Sequence, residues 1–399
     1  MNTIHLLQVP RLTVGSGCLD ECRKYLLDRG VKRALVVASP SVKKFAERVV
    51  DGVAHSQIDV STRGEPTVAS FSAVLERAQA FQPDAVIGLG GGSALDVAKL
   101  VAALLDVGPK IGEKQKIGEV FGIGNLKGRS VPLICVSTTA GTGSEVSPNA
   151  ILLDETDAMK KGVISPWLVP DAAYVDAELM LGVPPAVTAA TGLDALTHCI
   201  EAYTNKFAHP VVDTWAIEGV RLIAGSLAEA VKDGGNLAAR EKMALGSLYG
   251  GLCLGPVNTA AVHALSYPLG GRFHVAHGHA NAILLPHVTR FNLTAAAERY
   301  ADVATALGAG RRETAEATAE AGIEELWRII QSAKLEMSLS ALGIDEKETP
   351  SLAAAGLGVT RLMKNNPRTM TQEDAEAIYR AAFHAVAFEG AAFRGNTAV

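Results

Sequence analysis

The stretch "DAVIGLGGGSALDVAKLVAALL", Asp84 to Leu105, decides the fold. It opens on a short apolar run containing Val86 and Ile87, which reads as a buried strand. The run ends in Gly90, Gly91, Gly92 and Ser93, and apolar residues then recur at helical spacing. Strand, glycine turn and helix in that order form one unit of a parallel sheet covered by helices. Such a turn lets the backbone approach a phosphate closely, and the helix N-terminus behind it offers free N–H groups and partial positive charge. The spacing matches neither GxGxxG nor the Walker pattern, so this loop alone fits a plain tight turn as well as a phosphate cradle.

The flanking sequence repeats the pattern. "RALVVAS", Arg33 to Ser39, and "VPLICVSTT", Val131 to Thr139, are two further apolar runs separated by helical segments. A parallel sheet follows, with its ligands expected at the carboxyl ends of the strands. "STTAGTGSE", Ser137 to Glu145, is a second loop crowded with hydroxyls and glycines after a strand. Two such loops in one sheet favour a pyrophosphate cradle over two coincidental turns. Asp96 and Lys99, three apart on the helix after the first loop, fit a solvated helix pair or a place beside the cofactor.

Beyond Val183 the texture changes. "PPAVTAATGLDALTHCIEAY" opens on Pro184 and Pro185, which favour a helix start, and helical patterns continue to the C-terminus. Thr371 followed by Asp374 suits a cap on one of the last of them. The expected organisation is an α/β domain over residues 1–183 with a Rossmann-like parallel sheet, then an all-helical domain over 184–399, with the site in the cleft between them.

The 399 residues carry a net charge of −5, which offers no basic face for nucleic acid. Five cysteines without a CxxC, and no basic-then-apolar leader, predict a reducing, cytoplasmic setting. No apolar run is long enough for a membrane span.

Asp194 and His198 stand at i, i+4 and so share a helix face. Taken alone they suit an ordinary hydrogen bond. Yet His263, His274, His277, His279 and His287, five of the ten histidines, fall within 25 residues among Ala, Leu, Val and Gly. Burying that much imidazole requires partners. One carboxylate and three imidazoles around a divalent cation would supply them, a donor set suited to iron(II) or zinc. Spacing does not choose among the histidines, though His263, flanked by Ala and Val, most needs a partner.

The blocks "GLGGGSALDVAK", "STTAGTGSEVS", "PPAVTAATGLDALTHCIEAY" and "HGHANAILLPHVTRFN", in this order, resemble the iron-containing (group III) alcohol dehydrogenases over nearly the full chain. The resemblance implies metal ligands at Asp194, His198, His263 and His277. It implies cofactor contacts at Gly91, Gly92, Ser93, Thr138, Thr139, Ser144 and Lys161, with Asp96 beside them. It further implies the fold shared with dehydroquinate synthase, an iron(II) or zinc centre, and a homodimer or larger assembly. The expected reaction is hydride transfer between a small alcohol or aldehyde, its oxygen on the metal, and NAD(H).

Three positions depart from the family pattern. Ser39 stands where many members carry the Asp that repels a 2′-phosphate, which leaves NADP(H) open. Tyr267 replaces a second histidine of the substrate pocket, and its hydroxyl can relay a proton. His274, three before His277, is a further candidate for proton transfer, while His279 and His287 read as structural. The alternatives are a maleylacetate reductase-like enzyme, a branch whose pattern loses the metal-site aspartate and which Asp194 therefore argues against, another oxo-acid reductase of the same superfamily, a dehydroquinate synthase-like lyase, or a non-catalytic nucleotide-binding module.

Overall fold

A computed structural model describes residues 3–107 and 115–384. Nine strands form two sheets: β1 (Arg11–Val14), β2 (Arg33–Ala38), β3 (His55–Asp59), β4 (Ala85–Gly90), β5 (Gly122–Ile123), β6 (Leu133–Ser137), β7 (Asn149–Asp154), β8 (Met159–Ile164) and β9 (Ala172–Val175). The larger sheet runs β1-β9-β6-β4-β2-β3 with every pair parallel. β5, β8 and β7 make a small second sheet, in which β7 and β8 form an antiparallel hairpin.

The large sheet is buried on both faces, as its apolar strands require. Leu35, Val37, Val86 and Leu133 join the core on one side, and Ala34, Val36, Ile87 and Ile134 the core on the other. That alternation is the period of two of a pleated strand. From β2 the chain adds β3 on one side and β4 on the other, so the order reverses between β2 and β4. A crevice opens at such a switch point beyond the carboxyl ends of the strands. Ser39, just past β2, and Gly90, the last residue of β4, both lie there.

After β9 the described residues form helices. The longest, Pro185–Tyr203, begins with proline at its first position and buries nearly all of its second half. Helices Pro210–Ala224, Leu237–Leu254 and His277–Asn292 pack around it. The expected Thr371–Asp374 cap is present: the Asp374 amide donates to Thr371 Oγ1, and Thr371 donates back to the Asp374 carboxylate. All five cysteines are free and buried. Among the described residues no helix is long and apolar enough to cross a membrane.

Two backbone contacts weld the halves together. Gly143, in the second glycine loop, has a φ of 59°, and a Cβ there would lie 2.2 Å from Gly251 Cα on the Leu237–Leu254 helix. A Cβ on Gly271 would meet the Ala158 carbonyl oxygen of the β7–β8 turn at 2.3 Å. Either position excludes any side chain.

Candidate metal centre and nucleotide cleft

The two glycine loops touch. The Thr138 amide donates to the Gly90 carbonyl at 3.0 Å, and Gly91 and Gly92 abut Thr139 and Thr142. Asp96 ties the loops together. One of its oxygens accepts from Ser144 Oγ at 2.6 Å and the other from the Ile151 amide at 2.9 Å. Lys99 is fully buried and donates to the carbonyls of Ser147 and Asn149, both at 2.8 Å. A solvated Asp96–Lys99 pair is therefore ruled out. Both side chains staple the helix to the second loop, because only inward-facing polar groups can satisfy the backbone where β7 begins.

Gly92, Ser93, Asp96 and Ser144 line a cavity of about 160 Å³, together with Thr142. Ser39, Gly91, Thr138 and Thr139 sit outside that lining, at the base of the loops. Lys161 is not brought to the cavity. It pairs with Asp154 and Asp157, each at 2.7 Å, on the outer side of the β7–β8 hairpin. Its neighbour Lys160 faces inward, lines the cavity and pairs with Glu65 at 2.8 Å. Adjacent strand residues point to opposite faces, so a step of one residue exchanges the two lysines.

Asp194, His198, His263 and His277 form the opposite wall. The Nε2 atoms of His198, His263 and His277 lie 3.8, 3.5 and 3.8 Å from the same Asp194 Oδ1. His198 stacks on His263 with ring centroids 4.7 Å apart. Ligand atoms of Asp194, His263 and His277 all lie within 4.8 Å of one another. The geometry follows from three helices. Asp194 and His198 come from one face of Pro185–Tyr203, and His263 sits near the start of Ala261–Phe273. His277 opens the next helix, where Gly278 lets that backbone close on Ala190: a Cβ on Gly278 would lie 2.2 Å from the Ala190 carbonyl oxygen.

Charge states suit a cation. Burial pushes His198 down to about 4, and burial together with nearby Lys160 lowers His277. Both imidazoles are therefore neutral donors. Burial opposes ionisation of Asp194, yet its carboxyl is held well below the usual carboxylate range by the surrounding imidazoles, of which His263 is the one that keeps its proton. Burial opposes protonation of His263, but Glu201 and Asp194 outweigh it and lift the imidazole to about 9. A metal on Nε2 would displace that proton.

Two residues of this centre carried no assignment from sequence. Glu201, buried one turn past His198, takes His263 Nδ1 at 2.6 Å and the Val262 amide at 2.6 Å. That carboxylate fixes the tautomer that leaves His263 Nε2 free. Asn281 places its Nδ2 2.7 Å from Asp194 Oδ1, 3.1 Å from His263 Nε2 and 3.4 Å from His277 Nε2. Three of the four ligand atoms thus already converge on one electropositive group, while His198 Nε2 stands 3.8 Å from Asp194 Oδ1 outside that set; with it the donors are three imidazole nitrogens and one carboxylate, which suits a divalent cation.

Tyr267 is buried beside the centre, its ring 5.9 Å from that of His277, and lines the cavity. His274 is not brought there. It ends the Ala261–Phe273 helix in the left-handed conformation, φ 56°, and lies outside the cavity lining. His287 is buried against Trp327 and His279 reaches the Glu336 carbonyl, both away from the cavity.

A glycine-loop cleft thus faces an imidazole–carboxylate cluster across one cavity. The chain belongs to the iron-containing alcohol dehydrogenase family: that family's model matches residues 10–177, and the model of its C-terminal part matches residues 188–383. It is 37% identical over 394 residues to long-chain-alcohol dehydrogenase 1 of Geobacillus thermodenitrificans, covering 96% of this chain and 98% of the relative. It is similar to the crystal structure of 1,3-propanediol oxidoreductase, with a TM-score of 0.90, 32% identity, and coverage of 96% and 100%. A sulfoacetaldehyde reductase from Bifidobacterium kashiwanohense in complex with NAD+ matches with a TM-score of 0.84, 27% identity, and coverage of 96% and 99%.

Proposed function

We propose that this alcohol dehydrogenase-type oxidoreductase interconverts a primary alcohol and its aldehyde, with the dinucleotide on the glycine loops and a divalent cation held by Asp194, His198, His263 and His277. The carrying observation is the approach of three Nε2 atoms to one Asp194 oxygen, across a cavity from the loop at the switch point. When bound, the cation would polarise the substrate oxygen and the nicotinamide would carry the hydride.

The protein's own groups do the rest. Gly91, Gly92, Ser93, Thr138, Thr139 and Ser144 give the pyrophosphate its close backbone approach. Lys160, rather than Lys161, lines the cavity, with its ammonium 5.9 Å from the Tyr267 ring. Glu201 holds His263, and the Tyr267 hydroxyl takes or returns the substrate proton. Iron(II) is the family's metal and zinc suits the same donors. NADH is the expected nucleotide, and Ser39 places no carboxylate past β2 to repel the 2′-phosphate of NADPH. β1 leaves an open sheet edge with Leu6, Leu7, Leu12 and Val14 exposed, which supports a homodimer. A cytoplasmic setting agrees with the free thiols.

The test is consumption of reduced nucleotide by aldehydes after anaerobic reconstitution with iron(II) or zinc. His263→Ala must lose turnover while still binding dinucleotide. Full turnover by that variant after exhaustive chelation would overturn the metal assignment.

A further inference from the structure

The cavity wall beyond Tyr267 carries a charge that hydride transfer does not require. Arg361, on the short Thr360–Met363 helix, is half-buried and lines the cavity. Its Nη2 lies 3.5 Å from the Tyr267 hydroxyl, and it forms no ion pair with a carboxylate among the described residues. The other charges of the lining are accounted for. Lys160 has Glu65, Asp96 has Ser144 and the Ile151 amide, and Asp194 has the histidines.

Arg361 and Asn258 also line a second, neighbouring cavity. Its walls include Ile4, Ile123, Ile164 and Phe207, with Lys364 as a second cation and, among the described residues, no carboxylate. The guanidinium therefore stands at the junction of a reaction chamber and an apolar vestibule. Tyr267 neighbours both the guanidinium and His277: its ring is 5.9 Å from that imidazole and its hydroxyl lies 3.5 Å from the arginine.

A partly desolvated guanidinium without a counter-ion is costly, and its planar fork matches carboxylate and sulfonate oxygens. We propose that Arg361 selects a substrate with an acidic oxyanion at the end opposite its reacting carbon, a short ω-oxo acid or the matching ω-hydroxy acid. This deepens the dehydrogenase reading and rests on it. With the carbonyl at the histidine centre, a short chain passes along the Tyr267 ring and places its anion on Arg361. The glycine loops occupy the other wall, so the arginine is not needed for the pyrophosphate.

The experiment uses the full-length, metal-reconstituted protein with 4-oxobutanoate, 2-sulfoacetaldehyde and the neutral isostere 4-methylpentanal. The expected kcat/KM favours at least one anionic aldehyde over the neutral one by about tenfold or more, as a charge-assisted hydrogen bond supplies. In Arg361→Leu that ratio collapses towards one, and Arg361→Lys restores part of it. Preference for the carboxylate or for the sulfonate identifies the oxyanion. A wild-type ratio near one, a ratio unchanged in Arg361→Leu, or a loss in that variant confined to dinucleotide affinity would overturn the proposal. Failure of all three aldehydes to consume reduced nucleotide would instead remove the dehydrogenase reading. The arginine is then judged by calorimetry with butanedioate: binding to the wild type and not to Arg361→Leu supports it, and equal behaviour of the two refutes it.

Discussion

Replacing Glu201 by glutamine isolates one buried contact. In the native chain one carboxylate oxygen takes His263 Nδ1 and the other takes the Val262 amide, and the residue is 4% exposed. Glutamine is isosteric but offers one acceptor where two are needed. If its oxygen serves His263, its NH₂ faces the Val262 N–H, donor against donor. If it turns over, His263 loses the partner that fixes its tautomer. Mutations of such outer partners cost about 10–100-fold in metal affinity, which is about 1.4–2.8 kcal/mol at 1.4 kcal/mol per tenfold. The assay is competition for zinc against a chromophoric chelator at fixed pH. Dinucleotide affinity, read on the same samples by fluorescence titration, should hold, since the glycine loops lie on the other wall. Glu201→Gln binding zinc as tightly as wild type would refute the claim that this carboxylate orients the ligand.

Four further outcomes are expected. Ser39→Asp should shift selectivity from NADPH towards NADH by about tenfold or more, because a carboxylate beside a 2′-phosphate needs only about 1.4 kcal/mol of repulsion to do so; paired kcat/KM values decide. Lys160→Met should raise KM for the nucleotide while Lys161→Met leaves it near wild type, and equal effects would contradict the opposed facing of the two lysines. Gly143→Ala should cost about 2–4 kcal/mol in urea unfolding, since it adds an atom against Gly251 at a positive φ. Burial depresses His287 to about 4, below the unfolded value of about 6.5. The unfolded chain therefore binds the extra proton, and stability present above pH 6.5 falls as pH drops towards 4. The loss by pH 5 is about 2 kcal/mol at 1.36 kcal/mol per unit, and His287→Leu should abolish that part of the slope.

What could be read from the chain was whatever repeats locally. Helical spacing put Asp194 and His198 on one face, and two strand–glycine–helix units announced the parallel sheet. The centre's outer parts were legible in principle: Glu201 is an acid three residues past His198 in an otherwise apolar helix. Which of Lys160 and Lys161 faces the cavity was not legible, because composition does not fix the phase of a strand and one residue changes the face. His274 was a proton-transfer candidate by its place three residues before His277, but the helix ends there and leaves it outside the cavity lining. Arg361 gave no local sign at all. Its role depends on a short helix almost a hundred residues from His263 folding back over Tyr267.

The backbone-to-backbone seams at Gly143–Gly251 and Gly271–Ala158 have an evolutionary corollary. They lie outside the cavity lining, yet they hold the two walls at one spacing. A saturation scan of this protein should therefore find intolerance at those glycines as severe as at the imidazoles. Adaptation to a new alcohol would have to proceed through lining side chains such as Leu254, Thr259 and Arg361, leaving the gap itself alone.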